Sequence, residues 1–185
     1  MLRLVKILRG YGHLVTEATA ARDLDITGVT CDSRRVEPGY LFAAIQGTQL
    51  DGRDYISDAI KRGAIAVLGP PGIGADEVYQ NVSLITDDDH RRLYAHMAAA
   101  FFENQPKTIA AVTGTSGKTS AVHFLRQIWN AMGLRAAALG TLGVRATDPH
   151  GASLLPTTDK ALTTPDAADL HRQLRELTEL NIDHL

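Results

Sequence analysis

The sequence predicts an α/β protein organised as two units, residues 1–105 and 106–185, and three observations carry that expectation. Short apolar runs rich in β-formers alternate with helix-period segments, the repeat of a sheet flanked by helices. A helical stripe ends at Asn104-Gln105-Pro106, where proline cannot continue a helix, and a new apolar run starts at Thr108. That run leads directly into the glycine-rich Thr113-Gly-Thr-Ser-Gly-Lys-Thr119 and then into another amphipathic segment.

Each element has a local reason. Ile26–Asp32 and Leu41–Ile45 read as strands, with Glu37-Pro-Gly39 as the turn between them and Asp51-Gly52 as a second turn. Asp54–Arg62 places Tyr55, Ile56, Ala59 and Ile60 on one helical face, closed by Gly63. Ala64–Leu68 is a buried strand that stops at Gly69-Pro70-Pro71-Gly72, and Ser83–Thr86 is another strand. Asp87, Asp88 and Asp89 supply caps and first-turn charge for a helix carrying Leu93, Met97 and Phe101. In the second unit Thr108–Val112 is an apolar strand. The helix after the glycine-rich loop shows Val122, Leu125, Ile128 and Met132 at helical spacing, closed by Gly133. Arg135–Leu139 is the next strand, followed by a polar segment through Asp148-Pro-His-Gly151. A last helix aligns Leu170, Leu174 and Leu177, and Asn181–Leu185 looks like a strand beginning.

Composition narrows the function classes. Hydrophobic residues are 44% and charged residues 22%, as in ordinary globular chains, which excludes a disordered or low-complexity protein. The net charge of −2 provides no cationic field for nucleic acid or an anionic membrane, so an anionic ligand must be gripped by a few placed groups. One cysteine, Cys31, excludes an internal disulfide and fits a reducing cytosol. The N-terminal stretch is too short and too charged for a signal peptide, and no apolar run is long enough to span a bilayer. A cytoplasmic protein is expected, with neither nucleic acid nor membrane as partner.

The glycine-lysine loop carries the chemistry. Glycines let consecutive backbone N–H groups turn inward onto phosphate oxygens, and the helix start adds positive partial charge. Lys118 supplies a full charge for the β- and γ-phosphates, and Thr119 a hydroxyl where Mg²⁺ bridging those phosphates would sit. The first glycine of the longer G-x-x-x-x-G-K-[ST] pattern would fall at Val112, so this is a compact form starting at Gly114. A bare strand-to-helix turn with an exposed lysine is the bland alternative, and nucleotide binding is the stronger reading.

Thr-Gly-Thr-x-Gly-Lys-Thr after an apolar strand resembles the ATP loop of the Mur ligases, ATP-dependent enzymes of peptidoglycan precursor synthesis. Cys31-Asp-Ser-Arg34, Val36–Gly47 and Asp51-Gly52-Arg53 are similar to that family's uridine-nucleotide-binding domain. Gly140-Thr-Leu-Gly143 and Thr163-Thr-Pro-Asp166 resemble the branch that adds the third peptide residue, with the following ligase of the MurF type as the alternative. The resemblance implies a small N-terminal α/β UDP-sugar-binding domain, residues 1–105. It further implies the beginning of a P-loop-type parallel-sheet ATPase domain, residues 106–185, truncated and catalytically incomplete by itself.

By the same resemblance Gly114, Thr115, Ser116, Gly117, Lys118, Thr119 and Ser120 would hold ATP, with Lys118 and Thr119 catalytic and Thr119 on Mg²⁺. Cys31, Ser33, Thr48, Gln49, Leu50, Thr163 and Thr164 would hold the UDP-sugar. Leu162 stands where many relatives carry Asn. The implied substrates are ATP, UDP-N-acetylmuramoyl-dipeptide and a diamino acid, meso-diaminopimelate or L-lysine, on a monomeric enzyme. Bland readings stand beside these: Ser33 as a turn cap, and Thr163 and Thr164 as caps of the helix after Pro165. A non-catalytic UDP-sugar and ATP-binding module, or an unrelated P-loop ATPase or kinase, are the competing classes.

Other residues read as structural. The seven histidines, at 13, 90, 96, 123, 150, 171 and 184, show no metal-ligand spacing. Arg91-Arg92 reads as a solvated face, Trp129 as core or interface, and Cys31 as a small packing residue unless its thiolate is perturbed.

Overall fold

The computed structural model describes residues 2–8, 24–47, 50–73, 82–155 and 165–185. The chain forms two compact units, Met1–Phe102 and Glu103–Leu185, each with its own sheet.

In the first unit the elements run β1 (Leu2–Arg3), α1 (Leu4–Leu8), β2 (Asp25–Ile26), β3 (Gly28–Thr30), β4 (Tyr40–Ala43), α2 (Ile56–Lys61), β5 (Ala66–Gly69), β6 (Ser83–Thr86) and α3 (His90–Phe102). Strands β3-β4-β5-β6 form a parallel sheet in chain order, in register Val29↔Leu41, Phe42↔Val67 and Leu68↔Ile85. Its strands are short, apolar and buried on both faces, as parallel sheets require. Leu41, Phe42, Val67 and Leu68 are fully buried, and Phe42 and Val67 pack with Val36, Ile56 and Ala59. Burying each such side chain stabilises the unit by roughly 2 kcal/mol.

The strand expected over Ile26–Asp32 is broken. Ile26 pairs antiparallel with Leu2, whereas Val29 pairs parallel with Leu41, so the chain changes partner at Thr27. It then leaves the sheet at Cys31 and enters a 3₁₀ turn, Ser33–Arg35, capped by the Asp32 carboxylate on the Arg34 N–H. The helix expected from Asp54 starts as a 3₁₀ turn, Gly52–Tyr55, capped by Asp51, and becomes α-helical only at Ile56. The Asp87–Asp89 run caps α3 as expected: Asp87 accepts from the Asp89 N–H and Asp89 from the Arg92 N–H. Leu93 and Met97 are buried beneath it, and Phe101 is half-buried edge-on to Phe102. Helix α1, which no periodicity in the sequence announces, buries Leu4 and Ile7 and packs on α3.

The second unit contains α4 (Lys118–Ala131), β7 (Ala136–Gly140), β8 (Gly143–Thr147) and α5 (Ala167–Glu179). The run expected as a strand over Thr108–Val112 is bonded only at its start. Thr108 donates to Asp183 (2.9 Å), Leu185 to Thr108 (2.9 Å) and Ala110 to Leu185 (2.8 Å). Ile109 and Val112 remain 44% and 41% exposed, because among the described residues nothing covers them. The strand expected at Asn181–Leu185 lies between this run and β7, with the Ala137 N–H donating to the His184 carbonyl at 2.9 Å. Strand β8 was not expected; it returns antiparallel on β7 in register Ala138↔Arg145.

Helix α4 departs from its expected stripe. Ile128 and Met132 are 56% and 67% exposed, while Asn130 is buried and Val122, Leu125, Arg126 and Trp129 are half-buried. Polar groups take inward positions: Arg126 donates through Nη1 to the Thr147 hydroxyl while its buried Nε has no partner among the described residues, and Asn130 has its hydrogen bonds met. Asn130 donates to the carbonyls of Leu134 (2.9 Å) and Thr147 (3.2 Å) and accepts from the Thr147 hydroxyl (2.6 Å). A satisfied buried polar side chain costs little, so the apolar stripe is rotated away from the hairpin.

Candidate functional site

Two places hold the residues singled out above, one in each unit. In the second unit the Gly114–Gly117 turn leads into α4. Gly114 has φ +147° and Gly117 φ +77°, backbone states that side-chain-bearing residues rarely adopt, so both glycines are required by the path of the chain. Gly117 caps α4 in the left-handed conformation, and its carbonyl accepts the Ala121 N–H at 2.9 Å. Residues 113–117 are exposed, which leaves the turn and the first helical amides open to an incoming anion. The Lys118 ammonium donates back to the Gly114 carbonyl and is thereby held over the turn. The Thr119 hydroxyl lies 3.3 Å from that of Thr141, on the β7–β8 turn. Thr115, Ser116 and Ser120 are exposed on the same turn and helix start.

The donor set fits a magnesium-bound nucleotide triphosphate. Mg²⁺ takes few protein oxygens and completes its shell with phosphate and water, and Thr119 offers such a hydroxyl beside a lysine. Among the described residues no group of three or more His, Cys, Asp or Glu side chains is arranged for a metal.

In the first unit a pocket of about 740 Å³ opens where the C-terminal ends of the sheet strands meet the 3₁₀ turns. Cys31, Ser33, Arg34, Leu50, Tyr55 and Arg91 line it. Ser33 is 6% exposed, and its hydroxyl has no hydrogen-bond partner among the described residues. The capping role in this turn belongs to Asp32, so the turn-cap reading of Ser33 falls away. Leu50 and Tyr55, 65% and 38% exposed, give the pocket an apolar lip suited to a flat ring. Gly52 is required by space: a Cβ there would stand 2.6 Å from the Ile45 nitrogen and 2.7 Å from its oxygen.

The carboxylates around the pocket are held charged by arginines. Hydrogen bonds from Arg34 keep Asp32 below its usual range, and those from Arg53 lower Asp51 to about 2. In the second unit burial, with Arg126 and Arg145 nearby, pushes the His123 imidazole down.

Of the expected UDP-sugar residues, Cys31, Ser33 and Leu50 come together in this pocket. Thr48, Gln49, Thr163 and Thr164 lie outside the described residues. Helix α5 is capped by Asp166, which accepts from the Ala168 and Asp169 N–H groups, so that helix needs no threonine cap. Two residues were missed. Arg91 is exposed, in keeping with its reading as part of a solvated face, but it also lines the pocket and donates to the Gln46 carbonyl. Thr141 was noted only within Gly140-Thr-Leu-Gly143, and no spacing rule places it beside Thr119. Among the described residues no helix is long and apolar enough to cross a membrane.

Comparison with known proteins finds relatives along most of the chain. The chain is 46% identical over 165 residues to the UDP-N-acetylmuramoyl-L-alanyl-D-glutamate–2,6-diaminopimelate ligase of Caulobacter vibrioides, covering 89% of this chain and 33% of that protein. It is 44% identical over 173 residues to the ligase of the same name from Mesorhizobium japonicum, covering 94% and 34%. The chain therefore spans about a third of the length of the curated relatives it matches. A solved structure of a UDP-N-acetylmuramoyl-L-alanyl-D-glutamate–2,6-diaminopimelate ligase shares the fold, with a TM-score of 0.73 at 23% identity over 99% of this chain and 35% of that one. A MurF from Acinetobacter baumannii gives a TM-score of 0.54 at 19% identity over 88% and 30%. The model of the Mur ligase family, catalytic domain, matches residues 25–120 and that of the Mur ligase middle domain matches residues 112–185: the chain belongs to the Mur ligase family.

Proposed function

We propose that this chain supplies the nucleotide-sugar pocket and the ATP loop of a cytoplasmic, monomeric, ATP-dependent ligase. That ligase joins meso-diaminopimelate to UDP-N-acetylmuramoyl-L-alanyl-D-glutamate. The observation that carries the reading is the Gly114–Thr119 turn, with its positive-φ glycines, tethered lysine and neighbouring hydroxyl. The names of the curated relatives support the choice of substrates. Residues 1–105 are read as the UDP-sugar domain and 106–185 as the first part of the ATPase domain.

In this reading the exposed amides of the turn and the α4 N-terminus bind the phosphates, and Lys118 neutralises charge building on the transferring γ-phosphoryl group. Thr119 would hold Mg²⁺, which would screen the charge of the β- and γ-phosphates. The D-glutamate carboxylate attacks the γ-phosphorus, ADP leaves, and an acyl phosphate forms. The amine of the diamino acid then attacks the acyl carbon and expels phosphate, completing the amide bond. Ser33 reads the uridine part of the sugar nucleotide through its hydroxyl, with Cys31 beside it and Thr48, Gln49 and Leu50 assigned to the uracil, while Thr163 and Thr164 are assigned to the muramoyl and diphosphate region.

Calorimetric titration of the chain with Mg·ATP and with the UDP-sugar tests this assignment. Lys118→Ala is expected to weaken ATP at least tenfold, the loss of a charge-assisted contact, and to leave the UDP-sugar unchanged. Absence of UDP-sugar binding by the unmodified chain, or ATP affinity indifferent to the lysine, refutes it.

A further inference from the structure

Four charged side chains line the pocket of the first unit: Asp32, Arg34, Asp58 and Arg91. Three of them are already neutralised. Arg34 is bound to Asp32 through Nη2 and Oδ2 at 2.8 Å, and Asp58 holds Arg62 at 3.1 Å. Just outside the lining, Asp51 holds Arg53 in the same way. Arg91 is the exception. Its Nη2 donates to the backbone carbonyl of Gln46, and among the described residues its guanidinium has no carboxylate partner.

The nearby aspartates at the start of α3 do not serve as that partner. Asp87 and Asp89 accept backbone N–H groups of Asp89 and Arg92, and neither lines the pocket. A guanidinium carries several N–H donors in a fixed fork, and one carbonyl engages only one of them. Among the described residues the pocket wall thus holds balanced ion pairs plus one cation with donors to spare, beside the hydroxyl of the buried Ser33 and an apolar lip. The anchor also has a consequence for geometry. Gln46 bridges to Asp51, and the Gly47 N–H donates to the Leu50 carbonyl at 2.8 Å, so the guanidinium is tied to the segment that carries Leu50.

We infer that Arg91 binds the phosphate portion of the ligand in this pocket and is what makes the site prefer a nucleoside diphosphate over the bare nucleoside. This rests on reading the pocket as the nucleotide-sugar site. Ser33 and the apolar lip recognise the uncharged uridine, and Arg91 recognises the anion. Planar, forked donors suit a phosphate, and the charge is not cancelled locally.

Ligand-observed NMR titrations of the full chain with UDP and with uridine, for the unmodified protein and for Arg91→Met and Arg91→Lys, test the inference. Arg91→Met is expected to weaken UDP about tenfold, the scale of one charge-assisted contact at an exposed site, and to leave uridine within twofold. Arg91→Lys should recover part of the loss, and the salt dependence of UDP binding should be shallower in Arg91→Met. Equal weakening of UDP and uridine would mean that Arg91 only secures Gln46, which overturns the inference. Unchanged UDP affinity in Arg91→Met overturns it as well. Failure of the unmodified chain to bind either ligand instead removes the nucleotide-sugar reading, and the inference falls with it.

Discussion

The hydroxyl of Thr119, at the second residue of α4, stands 3.3 Å from the hydroxyl of Thr141 on the β7–β8 turn. These residues are far apart in the chain, and the contact joins the start of the loop helix to the hairpin on which that helix packs. A threonine hydroxyl that is to serve a metal ion needs a defined rotamer, and Thr141 supplies the hydrogen bond that defines it. Thr141→Val keeps the volume and removes the bond. Mg·ATP affinity should drop about fivefold, the worth of one neutral hydrogen bond of about 1 kcal/mol. Calorimetry returning the unmodified affinity would show that the pair is incidental.

Ser33 is nearly buried, and its hydroxyl has no hydrogen-bond partner among the described residues. Ser33→Ala is therefore expected to leave folding stability within about 0.5 kcal/mol, since no bond among the described residues is lost. UDP-sugar affinity should fall by about 1 kcal/mol. Paired thermal melts and titrations separate these effects, and a large loss of stability would assign the hydroxyl to the fold instead.

Gly52 sits where the chain passes the backbone of Ile45, and a Cβ at that position would meet main-chain atoms at 2.6–2.7 Å. Main chain cannot swing aside as a side-chain end can, so the 3₁₀ turn must shift. Gly52→Ala should cost about 1–3 kcal/mol, read as a lower urea midpoint at unchanged slope. It should also weaken ligand binding, because Gly52 and Leu50 belong to the same wall.

Asp51 is lowered to about 2, chiefly by its hydrogen bonds from Arg53. A carboxyl whose folded value lies below its unfolded value of about 3.9 stabilises the fold above that value. The contribution fades as pH falls from about 4 through 2. A carbon-detected NMR titration should find Asp51 ionised at pH 3, and Arg53→Met should return it toward its ordinary 3.8. Protonation of Asp51 near pH 4 in the unmodified chain would contradict this.

What the sequence made legible is what neighbouring residues decide among themselves. The phosphate turn is contiguous, so Gly114, Gly117, Lys118 and Thr119 announce it directly. The α3 stripe of Leu93 and Met97, and the Asp89 cap, follow from spacing alone. Arg91 is exposed as expected, and its place on the pocket wall depends on α3 docking beside Gln46, 45 residues earlier, which no local spacing reveals. Ile128 and Met132 were expected inward because apolar residues usually are. Asn130 reverses that through Thr147 and the Leu134 carbonyl, partners that no helical period reveals. Strand β8 escaped notice since Gly143-Val-Arg-Ala-Thr147 buries only its glycine and Ala146, too faint an alternation to read as a strand.

The parallel sheet of the first unit runs β3-β4-β5-β6, spatial order matching chain order. Every strand after β3 therefore meets its hydrogen-bonding neighbour in chain already synthesised. The sheet can be laid down one edge at a time as the polypeptide leaves the ribosome, with no strand waiting for a later one to be inserted beside it. Ser33 and the Asp51–Tyr55 turn are also translated before the last strand, so the walls of the pocket are in place by the time α3 arrives and brings Arg91 to it.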